Sequence, residues 1–135
     1  MKTIFLIVIL MGLSALYVRL APLKLRPVQA DVQSDTEMAG GYVAIRPVDC
    51  DPWALYARIT AIALATPRTT ILSENPLRFV TRSRVWGFPD VTTVQVIGGQ
   101  MTVHAHLVYG KSDFGVNKAR VLRWLDQLGP LTRAD

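Results

Sequence analysis

The dodecapeptide YGKSDFGVNKAR at residues 109–120 carries two tripeptides with chemical associations. Gly-Lys-Ser ends phosphate-binding loops, and Asp-Phe-Gly holds magnesium in protein kinases. Neither association survives its spacing. With Gly110 as the second glycine of a phosphate loop, the first would fall at residue 105, which is Ala105 inside a strand pattern. No nest of consecutive backbone amides forms there. The kinase tripeptide requires a lysine-bearing strand, a catalytic loop and far more chain. What remains is a strand-to-helix connection. Ser112, Asp113 and Asn117 are turn and cap formers. An anion site is the alternative use, built from helix-start amides with Lys111, Lys118 and Arg120 close by.

Other residue types invite the same test. His104 and His106 alternate on a strand, so their imidazoles share one face about 7 Å apart. A catalytic zinc site needs a third ligand, and Asp90 is the acid within consideration. No metal site is expected. Arg78, Arg82 and Arg84 share one face of a second strand pattern, an exposed basic face that could recognise an anionic group. There is no Gly-x-Ser-x-Gly elbow. Cys50, the single cysteine, excludes a disulfide framework or thiolate cluster. These residues assign no catalytic group and no cofactor.

The elements that must position these groups begin with an uncharged apolar run at residues 3–18, followed by Arg19. Sixteen residues rise about 24 Å as a helix, and a snorkelling Arg19 extends the span toward Ala21. A retained transmembrane anchor is expected over residues 1–22, in contact with the bilayer through residues 3–21. The rival is a cleaved signal peptide ending at VQA, residues 28–30, which lies far beyond the apolar run. Lys2, Arg19, Lys24 and Arg26 account for most of the +5 formal charge, because 11 Lys and Arg face 10 Asp and Glu from Asp31 onward. The basic balance therefore flanks the anchor and does not indicate a nucleic-acid surface. The positive-inside rule alone favours a cytoplasmic domain.

Residues 23–49 read as a tether with a short edge strand at YVAIRPV. The compact domain is expected over residues 50–131. Asp51-Pro52 opens a helix whose apolar stripe is Trp53, Tyr56, Ile59, Ile62 and Ala63. Four extended runs follow: TTILS, LRFVTRSRVW, VTTVQVI and MTVHAHLVY. The last two are joined by Gly98-Gly99, a pair suited to a tight hairpin. Met101, Val103, Ala105, Leu107 and Tyr109 form an apolar face, with Thr102, His104, His106 and Val108 opposite. Trp86 and Phe88 in WGFPD are assigned to the edge of the core. A closing helix runs from about Asn117 to Leu128 with Val121, Leu122, Leu125 and Leu128 inward, stopped by Gly129-Pro130. The predicted fold is α+β: a transmembrane helix, then a helix–four-strand antiparallel sheet–helix domain with both helices on one sheet face and the histidine face solvated.

Two stretches, FVTRSRVWGFPD and YGKSDFGVNKARVLRWLDQL, resemble the bacterial domain of unknown function 1499 family, through Arg82-Ser83, Gly87-Phe88-Pro89-Asp90, Ser112-Asp113, Gly115 and Asn117. LATPRT at residues 64–69 and YVRLAP at residues 17–22 also fit, whereas residues 31–49 match nothing placeable. The resemblance implies a fold and a membrane habit but no reaction. It also implies an envelope protein of the bacterial inner membrane with a periplasmic domain. The functional expectation is a membrane-tethered accessory or binding module. Its face of Arg82, Arg84, Asp90, His104, His106, Ser112, Asp113 and Asn117 would hold an anionic group or an envelope protein. The alternatives are a small hydrolase using His104 or His106 with Asp90 or Asp113, and a structural subunit of a membrane complex.

Overall fold

A computed structural model describes residues 1–27 and 32–132. The chain runs α1 (Lys2–Leu20), β1 (Thr36–Met38), β2 (Gly41–Pro47), α2 (Pro52–Ala65), β3 (Thr69–Glu74), β4 (Leu77–Arg82), β5 (Pro89–Ile97), β6 (Gln100–Leu107) and α3 (Val116–Leu128). The signal-peptide site weighed at residues 28–30 lies outside the described residues.

α1 is 19 residues long, apolar on every side, and buries only Val18. A helix this apolar all round has no face to lay on a soluble core. It is long and apolar enough to cross a membrane.

The domain is built on one antiparallel sheet of six strands, ordered β1-β2-β6-β5-β4-β3. This corrects the four-strand expectation. The added strands come from the stretch read as a tether. β2 is also no edge strand, because it pairs with β1 on one side and β6 on the other. Pro47 is tolerated because it is the last residue of β2. The Gly98-Gly99 hairpin forms as the residue types require, with φ of 58° and 74°.

α2 starts at Asp51, whose carboxylate accepts the Ala54 N–H at 2.9 Å, with Pro52 in the first turn. Its inward stripe is Leu55, Ile59 and Ala63, rotated from the expected one. Trp53 is 80 % exposed, and Tyr56 and Ile62 are half-buried. Tyr56 is retained at the sheet margin because its hydroxyl accepts the Val96 N–H at 3.0 Å. α3 buries Val121, Trp124 and Leu128 and leaves Leu122 largely outside. Both helices contribute to one apolar cluster with Ala44, Phe79, Val94, Met101, Val103 and Ala105 of the sheet. At its centre Trp124 meets Phe79 edge-to-face at 5.7 Å and donates its indole N–H to Thr66 at 2.8 Å.

The opposite sheet face is not solvated, which corrects the second half of the expectation. Val43, Val91, Thr93, His104 and His106 are all at most 1 % exposed. The register places them together: Val43 opposes His104, which opposes Thr93, while Val91 opposes His106. Val18 at the end of α1 is buried. Arg26 acts electrostatically on both histidines. The chain leaving α1 therefore runs close to this face. Alternation alone marks such a strand as half-exposed, because the segment running close to it lies about 80 residues away in sequence.

Candidate functional site

The end of the sheet nearest α1 holds a cavity of about 400 Å³. Three loops build it. Arg68 comes from the connection between α2 and β3. Thr81, Arg82, Ser83, Phe88 and Asp90 come from the β4–β5 region, and Tyr109, Ser112, Asp113, Phe114 and Arg120 from the β6–α3 region. Each loop is closed by its own polar contacts. Arg82 N–H donates to the Arg68 carbonyl at 3.0 Å, and Arg68 Nε returns a bond to the Arg82 carbonyl at 3.0 Å. Ser83 N–H donates to the Phe88 carbonyl, and Phe88 N–H donates to Ser83 Oγ, both at 2.9 Å. Ser112 Oγ accepts the Phe114 N–H at 3.3 Å.

Asp113 closes the turn into α3, whose N-cap is Gly115. Its carboxylate accepts the N–H groups of Asn117 at 2.7 Å and Gly115 at 3.1 Å. Burial opposes its ionisation, but those amides outweigh it and hold the carboxyl below its usual range. The Gly115 and Asn117 amides are thus occupied by the Asp113 carboxylate and the Val116 amide by the Asp113 carbonyl at 3.1 Å, so these three are not open to an anion.

Behind Asp113 lies a buried polar group that the sequence pattern did not reveal. Arg120, 6 % exposed, donates from Nη1 to Asn117 Oδ1 at 2.9 Å and from Nη2 to Asp90 Oδ2 at 3.0 Å. Asn117 is fully buried. Its Nδ2 lies close enough to favour the ionised forms of Asp90 and Asp113, yet makes no hydrogen bond of good geometry. Burial pushes the Asp90 carboxyl up, with Asp113 adding to that; Arg120 and Asn117 offset only part of it.

Arg82 has a different task. Its guanidinium donates to the carbonyls of Gly87 at 3.0 Å, Arg19 at 3.3 Å and Val18 at 3.5 Å. The last two are terminal carbonyls of α1, which lack partners within the helix. Arg19 in turn reaches the Val85 carbonyl at 3.4 Å. Arg82 thus lines the cavity and fastens the last turn of α1 to the domain.

The remaining candidates separate. Arg84 is exposed in the turn after β4, because that strand ends at Arg82, so the expected three-arginine face does not form. Nor does β4 neighbour the histidine strand, since β5 lies between them. His104 and His106 are buried with ring centroids 5.2 Å apart and planes tilted by 43°, and neither belongs to the cavity lining. His106 Nδ1 contacts the Leu107 carbonyl at 3.1 Å; among the described residues, His106 Nε2 and both nitrogens of His104 have no hydrogen-bond partner. Burial pushes His104 down to about 4, assisted by His106 and Arg26, and lowers His106 as well. Among the described residues neither imidazole hydrogen-bonds a carboxylate. Among the described residues no three His, Cys, Asp or Glu side chains gather to hold a metal. Trp86 is half-buried and Phe88 is 42 % exposed, so this pair lies at the surface and not in the core.

Among the described residues two that are not glycine have left-handed backbone, Arg68 at φ 58° and Phe114 at φ 53°. Both line this cavity. Such conformations persist where surrounding contacts over-determine them, and they concentrate at ligand sites.

The family described as protein of unknown function (DUF1499) matches residues 20–128. The chain belongs to this family. The match includes residues 31–49, which carry none of the motifs of the resemblance, in keeping with β1 and β2 being part of the sheet. No curated protein and no solved structure matches. LATPRT, FVTRSRVWGFPD and YGKSDFGVNKAR, which carried the resemblance, are the three stretches that supply most of the cavity wall.

Proposed function

We propose that this protein is a membrane-tethered binding module of the bacterial inner membrane, with its domain on the periplasmic side, and that the cavity receives an anionic group. The observation that carries this reading is convergence: three stretches remote in sequence meet around one cavity that also contains both strained non-glycine residues. Three guanidinium groups and two carboxylates line it. Asp90 is engaged by Arg120, Asp113 by backbone amides, and Arg82 by the end of α1. Arg68 is the exception. Only its Nε is bonded, leaving two Nη groups at the cavity wall with no hydrogen bond to the described residues. An unsatisfied planar fork suits a phosphoryl or carboxylate group, either on a small molecule or on an envelope protein partner.

The test follows the Arg68 Nε–H signal in ¹H–¹⁵N spectra of the full chain in uncharged detergent, titrated with inorganic phosphate and with acetate. A saturable shift with at least one probe is expected, accompanied by saturable shifts of the Ser83, Phe88 and Phe114 backbone amides that are lost in Arg68→Ala. Absence of a saturable response to both would remove the anion reading. Reporter fusions at the carboxyl end, one active only in the periplasm and one only in the cytoplasm, decide the side of the membrane.

A further inference from the structure

We infer that the cavity end of the domain is itself a membrane-contacting face, on which the 83–88 and 110–115 loops enter the headgroup layer of the bilayer that holds α1. This rests on α1 lying in a bilayer.

The argument starts from Arg19, the first charge after the apolar run and hence the marker of the hydrocarbon boundary. Its side chain lies against Gly87 and its Nη2 reaches the Val85 carbonyl at 3.4 Å. The β4–β5 turn is therefore held at the level of that boundary. Its side chains suit the position. Val85 is 74 % exposed and Phe88 is 42 % exposed, with Phe88 tilted against Tyr109 at 6.3 Å. Phe114 of the neighbouring loop is 95 % exposed on a strained backbone. In water that exposure is unfavourable, whereas amphipathic and aromatic rings favour the headgroup level. Arg84 and Lys111 lie on the same loops, both exposed, and their charge suits anionic headgroups.

The sheet direction supplies the contrast. β5 leaves this end at Pro89 and finishes at Ile97, roughly 27 Å away at the usual strand rise. Ile97 is 72 % exposed, nearly as open as Val85, but sits at the far end. Exposure alone therefore does not separate the two positions; distance from α1 does.

The test uses the full chain with Cys50→Ala, carrying one environment-sensitive fluorophore on Leu16→Cys, Val85→Cys, Phe114→Cys or Ile97→Cys. Each is reconstituted into phosphatidylcholine–phosphatidylglycerol vesicles containing nitroxide-bearing lipid. Labels at 16, 85 and 114 should be quenched several-fold more than the label at 97. Labels at 85 and 114 matching 97, with 16 still quenched, would overturn the contacting face and leave the anchor intact. An unquenched label at 16 would remove the anchor and this face together.

Discussion

Arg82 Nη2 lies 3.3 Å from the Arg19 carbonyl oxygen, across 63 residues of sequence. A guanidinium at the carboxyl end of a helix meets both the unpaired carbonyls and the negative end of the helix dipole. One side chain thereby joins the apolar helix to the sheet, so anchor and domain are connected by more than their covalent link.

Arg82→Ala should free this junction. We expect a loss of about 1–3 kcal/mol, the usual scale for a hydrogen bond to a charged group. Arg82→Lys should recover only part of it, because one ammonium cannot span three carbonyls. Chemical denaturation of the full chain in detergent, with limited proteolysis following residues 21–27, reads both effects. Unchanged stability and unchanged cleavage in Arg82→Ala would show that the junction is incidental.

His104 makes stability fall with acid. Its folded pKa, about 4, lies below the ordinary histidine value of 6.5, so between those values the unfolded chain binds more protons. Stability is complete above about pH 6.5 and declines as pH falls toward 4, with about 3 kcal/mol as an upper bound for the single site. His106 acts in the same direction. Asp90 opposes it, because its raised pKa lets the folded state take up a proton first. Comparison of wild type with His104→Gln cancels the other groups. The variant should show a shallower loss of stability from pH 6.5 to 4.5. Parallel curves would mean that His104 does not carry the acid response.

The elements marked by local chemistry were the readable ones. Asp51-Pro52 opens α2, Gly98-Gly99 turns the hairpin, and Gly129 ends α3. β1 escaped because it has only three residues, and β2, read as an edge strand, was misplaced because it owes its central place to β6, whose partners lie 53 to 65 positions along the chain. The second buried face escaped for a similar reason: no pattern within a strand reports a segment arriving from the end of α1. At the site, Ser112, Asp113 and Asn117 stood out as turn and cap formers, and Asp90 as an acid to set beside the histidines. Arg120 resembled any surface cation of an amphipathic helix, and only the fold brings it to Asp90, 30 residues away.

That Asp90–Arg120 pair should behave as a unit. The side chains are 17 % and 8 % exposed. Arg120→Met leaves a buried carboxylate and the Asn117 oxygen without their donor, at a cost of roughly 3–5 kcal/mol. Asp90→Asn removes the charge but retains an acceptor and should cost less. The double variant should lose less than the sum of the single losses, because no charge is stranded. Denaturant midpoints of the four proteins test this, and additive losses would show that the two residues act independently.

Gly87 separates two sources of constraint at the same junction. Its φ of 75° is a conformation that side chains other than glycine seldom adopt. A Cβ there would also approach Arg19 Nε to 2.5 Å and Cγ to 2.9 Å. Arg19 is long and can move aside, so the steric part is relievable while the backbone part is not. Gly87→Ala should therefore cost about 1–2 kcal/mol. Adding Arg19→Ala removes the clashing atoms but also the bond to the Val85 carbonyl, so the double variant should recover only a fraction. A Gly87→Ala chain as stable as wild type, still protected from cleavage at residues 21–27, would show that the turn relaxes freely and that Arg19 is not held against it.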